Sequence, residues 1–138
     1  MLESHPTMLI TDDDGAFRET LRGVFASRGF HTLLASDGDE ALEIVYREPV
    51  HLLLTDMHMP RMTGLEIIRH IRDSRLLLPC ILISAGVDDG LVEEARDVEA
   101  FSILRKPVRF PEIMGVVRKA MEITYGWTCG PARPADPE

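Results

Sequence analysis

Cysteine is scarce: Cys80 sits inside an apolar segment and Cys129 near the end, and these two give no Cys-x-x-Cys spacing and no disulfide framework. Both read as incidental thiols. Basic charge is also in short supply, with 15 Lys and Arg against 23 Asp and Glu and a formal net charge of -8. Such a balance opposes contact with a phosphate backbone unless a local basic patch exists, so no direct nucleic-acid binding is expected. No apolar run approaches the roughly 18 residues of a spanning helix. The start Met1-Leu2-Glu3-Ser4-His5-Pro6 has no basic region followed by an apolar stretch, so no membrane insertion is expected and the expected location is cytoplasmic.

What is present suits one folded domain. The 138 residues are 45% hydrophobic and 28% charged, and a chain of this size buries about 70% of the surface its unfolded form exposes. It needs neither staple nor metal to fold. Along the chain, short continuous apolar runs alternate with helical spacing, which is the pattern of βα units around a parallel sheet buried on both faces. Candidate strands cover residues 8–11, 31–35, 50–55, 80–84 and 101–104.

Between and after them the spacing predicts five helices. Phe17, Leu21, Val24 and Phe25 form one apolar stripe on a helix that stops at Gly29. Asp37 to Arg47 begins with acids, as a helix N-terminus prefers. Thr63 and Glu66 make a capping-box pair opening a third helix. The fourth, over 89–98, is rich in acids, and the fifth carries Ile113, Val116, Val117, Ala120 and Met121 on one face. Residues 1–125 are thus expected to form the domain. Residues 126–138, rich in Gly and Pro, are expected to be a flexible tail or the start of a linker.

In a parallel sheet, residues just past the strand ends gather along one edge, the usual place for a ligand. There the chain carries Asp12, Asp13 and Asp14 after the first strand, Asp56 after the third, Ser84 after the fourth and Lys106 after the fifth. The three consecutive acids alone read as helix N-terminal decoration. Asp56 changes the balance, because it closes the apolar run Leu52-Leu53-Leu54-Thr55. Carboxylates held together repel unless a hard divalent cation or protonation offsets them, and magnesium is the natural occupant. An ammonium and a hydroxyl facing such a carboxylate are groups that would hold phosphoryl oxygens.

The strings Leu9-Ile10-Thr11-Asp12-Asp13-Asp14, Asp56-Met57-His58-Met59-Pro60-Arg61-Met62-Thr63-Gly64, Ile81-Leu82-Ile83-Ser84-Ala85 and Lys106-Pro107 resemble the receiver domain of two-component response regulators. The resemblance runs over about residues 7–124, and its most specific element is Asp-x-x-Met-Pro-x-Met-x-Gly at 56–64. It implies an α/β fold, a single (βα)5 doubly wound parallel sheet of flavodoxin-like topology with strand order 2-1-3-4-5. It implies Asp56 as phosphoacceptor, taking its phosphoryl group from the phosphohistidine of a sensor histidine kinase or phosphotransfer protein. Asp12, Asp13, Asp56 and the backbone carbonyl of His58 would hold Mg2+, while Ser84 and Lys106 would bind the phosphoryl group. A cis peptide bond before Pro107 belongs to the same pattern.

Such a protein is a signalling phosphoacceptor with only self-catalysed phosphorylation and dephosphorylation. Its output surface would be built by the fourth helix, fifth strand and fifth helix, meeting a downstream protein, a missing output domain or a second copy in a homodimer. The chain departs from the family where an aromatic residue usually stands, at Ile103, a possible switch position. Phe101 is expected on the same face as Ile103 by strand alternation. Ser84 replaces the commoner threonine, and Gly15 stands where proline is frequent.

Four other readings are weaker. A copper site at Met57, His58, Met59 and Met62 competes with ordinary packing, and His5, His31, His51 and His70 lack ligand spacing. An aspartate-nucleophile phosphatase of the haloacid dehalogenase kind would place an acid where His58 stands. A flavodoxin-like cofactor binder would meet repulsion from Asp12, Asp13 and Asp14. A pseudo-receiver serving only as a docking module would not need Asp13, Asp56, Ser84 and Lys106 together.

Overall fold

The computed structural model describes residues 5–127. Strands and helices alternate along them: β1 Thr7–Thr11, α1 Gly15–Ala26, β2 His31–Ala35, α2 Gly38–Arg47, β3 Leu52–Asp56, α3 Gly64–Asp73, β4 Cys80–Ser84, α4 Asp89–Asp97, β5 Ser102–Arg105 and α5 Phe110–Tyr125. All neighbouring strands pair in parallel, in the order β2-β1-β3-β4-β5. The expected doubly wound α/β architecture is the one observed.

Alternation along buried strands divides the core in two. Leu9, Leu53, Cys80 and Leu82 join Ile44, Ile67, Ile68, Ile71 and Leu91 on the side of α2, α3 and α4. Met8, Ile10, Leu52, Leu54, Ile81 and Ile83 join Leu21, Phe25, Ile113, Val117 and Met121 on the side of α1 and α5. Each such side chain contributes roughly 1.5–3 kcal/mol on burial, so the sheet is held from both faces and its C-terminal edge is a firm platform.

Helix starts follow from local chemistry. Asp14, Asp37, Thr63 and Asp88 each accept backbone N–H groups at a first turn, and Thr63 with Glu66 completes the capping box. The first turn of α5 instead contains Pro111, which needs no N–H there. Gly29 (φ 95°) and Gly126 (φ 71°) take the left-handed backbone that follows α1 and closes α5.

Three strand starts differ from the sequence expectation, and the first of them is β1, which begins one residue earlier, at Thr7. The chain bends at His51 and at Phe101, so β3 begins at Leu52 and β5 at Ser102, and each runs one residue further than expected, to Asp56 and to Arg105. The bend overturns the expected face of Phe101. It packs against the α1–α5 cluster, whereas Ile103 packs against the α2–α4 cluster, because alternation holds only within a strand and Phe101 precedes it. From residue 128 on, the proline-rich segment expected over 126–138 lies outside the described residues, as does Cys129. Trp127 stacks edge-on against Phe30, with ring centroids 5.3 Å apart. No helix among the described residues is long and apolar enough to cross a membrane.

Candidate functional site

The ends of β1 and β3 lie side by side in the centre of the sheet, Thr11 pairing with Thr55. Asp56 is the last residue of β3, and Asp12 and Asp13 follow β1 directly. The topology therefore brings the acids together: one carboxylate oxygen from each of Asp12, Asp13 and Asp56 lies within 4.8 Å of the others. Asp12 and Asp56 are buried and Asp13 is exposed, so the cluster has a closed floor and an open rim. Asp14 is not part of it. Its carboxylate caps α1, accepting the N–H groups of Ala16 and Phe17 at 3.0 and 3.3 Å.

Lys106, just past β5, enters from the other side. Its Nζ stands 3.0 Å from Asp56 Oδ1 and 3.3 Å from Asp12 Oδ2, with the side chain 29% exposed. Burial by itself lowers the ammonium's pKa, but the hydrogen bond to Asp56 and the charges of Asp12 and Asp56 outweigh it, and the net direction is upward. For Asp12 burial is the dominant cause and pushes its carboxyl up, aided by the Asp56 charge and only partly countered by the Asp14 N–H and Lys106. The two directions agree physically, since Lys106 draws on two carboxylates while those carboxylates share one ammonium.

Ser84 ends β4, fully buried, and its Oγ accepts the Gly86 N–H at 3.1 Å. It follows Ile83, the register partner of Asp56, so its hydroxyl belongs to the same sheet edge while also closing a turn. Lys106 and Pro107 are joined by a cis peptide bond. His58 lies two residues past Asp56 in the exposed connection to α3. Met57, Met59 and Met62 pack into the α2–α4 cluster, which accounts for the methionines without a copper site.

Two residues of this region were legible only as helix. Phe17, read as part of the α1 stripe, has its ring centroid 5.0 Å from Lys106 Nζ, and the Arg18 guanidinium donates to the Asp12 carbonyl. The signal available was position: both lie in the first turn after the acidic loop.

An ammonium and three carboxylates converging at the tip of a central parallel strand, with a hydroxyl on the same sheet edge, are suited to a hard cation and to charged oxygens. The family model described as response regulator receiver domain matches residues 8–118. The chain is 36% identical over 119 residues to the response regulator MprA of Mycobacterium leprae, covering 85% of this chain and 51% of that protein. It is 31% identical over 116 residues to sporulation initiation phosphotransferase F of Bacillus subtilis, covering 84% of this chain and 94% of that one.

Against the Regulator of RpoS of Escherichia coli, 36% identity over 102 residues spans 74% of this chain and 30% of the relative. The chain thus spans about half or less of MprA and the Regulator of RpoS, but nearly all of the Bacillus protein. Among solved structures, a response regulator receiver protein from Pseudomonas putida superposes with TM-score 0.79 at 29% identity, covering 86% of this chain and 99% of that one. A receiver domain protein from Methanospirillum hungatei shares the fold, with TM-score 0.84 at 21% identity and coverage of 88% and 97%. A sheet in the order 2-1-3-4-5, acids at its central strand ends and a family match over most of its length have one common reading: the chain belongs to the response regulator receiver domains of two-component systems.

Proposed function

We propose that Asp56 is the phosphoacceptor of this receiver and that its donor is the phosphohistidine of a sensor histidine kinase or phosphotransfer protein. The observation that carries this reading is the placement of Lys106 Nζ 3.0 Å from the Asp56 carboxylate at the end of the central strand β3. A carboxylate oxygen of Asp56 forms a bond to phosphorus as the donor's P–N bond breaks, and the imidazole leaves. Lys106 offsets charge on the phosphoryl oxygens, and the Ser84 hydroxyl donates a hydrogen bond to one of them.

The donor set fits magnesium: three carboxylates face one ammonium, and all the available donor atoms are hard oxygens. Asp12, Asp13, Asp56 and the backbone carbonyl of His58 would hold the ion. When bound, it supplies positive charge that neutralises the transferring group and the acids around it. The resulting change is read at the surface of α4, β5 and α5 by a downstream protein, an output region or a second copy, with Ile103 at the switch position in the cytoplasmic signalling unit.

Incubation with acetyl phosphate tests the reading. The protein should gain the mass of one phosphoryl group with Mg2+, none without it, and none in Asp56→Asn. A gain that persists in Asp56→Asn moves the acceptor elsewhere. No gain in the parent protein leaves a docking module without phosphoryl chemistry.

A further inference from the structure

We propose that Phe17 is a positioning residue for Lys106, its ring holding the ammonium at the Asp56 carboxylate; the inference rests on the reading of Lys106 as the partner of the phosphoryl oxygens. In the sequence Phe17 heads the apolar stripe that continues through Leu21 and Phe25. The structure keeps it packed against the same α1–α5 cluster and adds a charged neighbour. Leu21 and Phe25 are fully buried, whereas Phe17 is half-buried and has Lys106 Nζ 5.0 Å from its ring centroid. An ammonium within about 6 Å of a ring face is attracted by the ring's quadrupole. A leucine at this position would serve the stripe equally well and offer no such attraction.

The backbone of Phe17 and the side chain of its neighbour are tied to the acidic loop. The Phe17 N–H donates to the Asp14 carboxylate at 3.3 Å, and the guanidinium of the next residue, Arg18, donates to the Asp12 carbonyl. The start of α1, which carries the ring, and the loop that carries Asp12 and Asp13 therefore form one local unit. Lys106 arrives from β5 on a flexible four-carbon stem, and Asp12 and Asp56 compete for its ammonium at 3.3 and 3.0 Å. The ring adds an attraction that uses up no carboxylate oxygen, and it narrows the positions open to the ammonium. Pre-set orientation of a charged group beside a reacting carboxylate is worth rate, because it need not be found during the reaction.

Phe17→Leu and Phe17→Tyr separate the ring from its bulk. At saturating Mg2+, phosphorylation by acetyl phosphate should slow about three- to tenfold in Phe17→Leu and stay within about twofold of the parent in Phe17→Tyr. In a Lys106→Met background the leucine variant should cause no further slowing. Proton NMR supplies a readout independent of phosphorylation: the Lys106 side-chain methylene signals next to the ammonium should be shifted by the ring in the parent and in Phe17→Tyr, and should lose that shift in Phe17→Leu. Equal slowing in the leucine and tyrosine variants, slowing that persists in the Lys106→Met background, or an unshifted Lys106 signal in the parent overturns the inference and leaves Asp56 as acceptor. A parent protein that takes no phosphoryl group overturns the reading of the site itself, and the inference with it.

Discussion

The backbone N–H of Lys106 donates to the carbonyl of Ser84 at 2.9 Å. The polar residue that ends β4 and the lysine just past β5 are therefore joined through the main chain. One end of this link touches Asp56 directly, through Lys106, and the other directly follows Ile83, the register partner of Asp56.

Lys106 also balances the pocket when no cation is bound. Replacing it by methionine leaves two buried carboxylates, Asp12 and Asp56, without their counter-charge. Lys106→Met should lower metal-free stability at pH 7 by about 1–3 kcal/mol, less than for a fully buried pair because the lysine is partly solvated. Urea denaturation with and without Mg2+ checks this: millimolar Mg2+ should recover the loss.

Gly64 and Gly23 should respond to alanine in opposite directions. A Cβ on Gly64 would stand 2.5 Å from the Asp56 carbonyl oxygen and 2.6 Å from Leu82 Cδ1, so Gly64→Ala should cost about 1–3 kcal/mol and displace the end of β3. A Cβ on Gly23 meets nothing within 4 Å, and Gly23→Ala inside α1 should stabilise by about 0.5–1 kcal/mol. Thermal midpoints of the two variants decide it.

Arg72 bolts the opposite edge of the sheet. Its guanidinium donates to the carbonyls of Leu76, Leu78 and Glu99, at 3.2, 2.9 and 2.9 Å, joining the segments that lead into β4 and β5. Arg72→Met should cost about 2–3 kcal/mol through the unpaired carbonyls, while the phosphorylation rate by acetyl phosphate stays within about twofold, since the bolt lies at the far ends of the strands. A large rate loss at unchanged stability would contradict this division.

His51 gives the fold a pH dependence in weak acid. Burial lowers its pKa from 6.5, and its Nδ1 accepts the Thr7 N–H at 2.9 Å, a bond that protonation would abolish. In the window between the lowered folded value and 6.5 the unfolded chain binds more protons, so stability rises with pH there. The contribution is present above 6.5 and is lost as pH falls through the folded value. Denaturation midpoints from pH 7 downward should fall more steeply in the parent than in His51→Gln.

The sequence by itself determined the alternation of strands and helices, the capping box of α3, and the acids that end β1 and β3, because periodicity and strand-end chemistry are local properties. Strand-end positions in a parallel sheet gave the common edge of Asp12, Asp13, Asp56, Ser84 and Lys106, and resemblance to the receiver motifs supplied the strand order. Only the tertiary structure decided what each acid does within its run: Asp12 buried, Asp13 at the rim, Asp14 a helix cap. It alone showed that the bend at Phe101 sends that ring away from Ile103, and that Phe17, while packing with the rest of its stripe, also lies against Lys106. These are relations between segments distant in sequence, set by how helices dock on the sheet, and spacing within one segment carries no information about the distance to another.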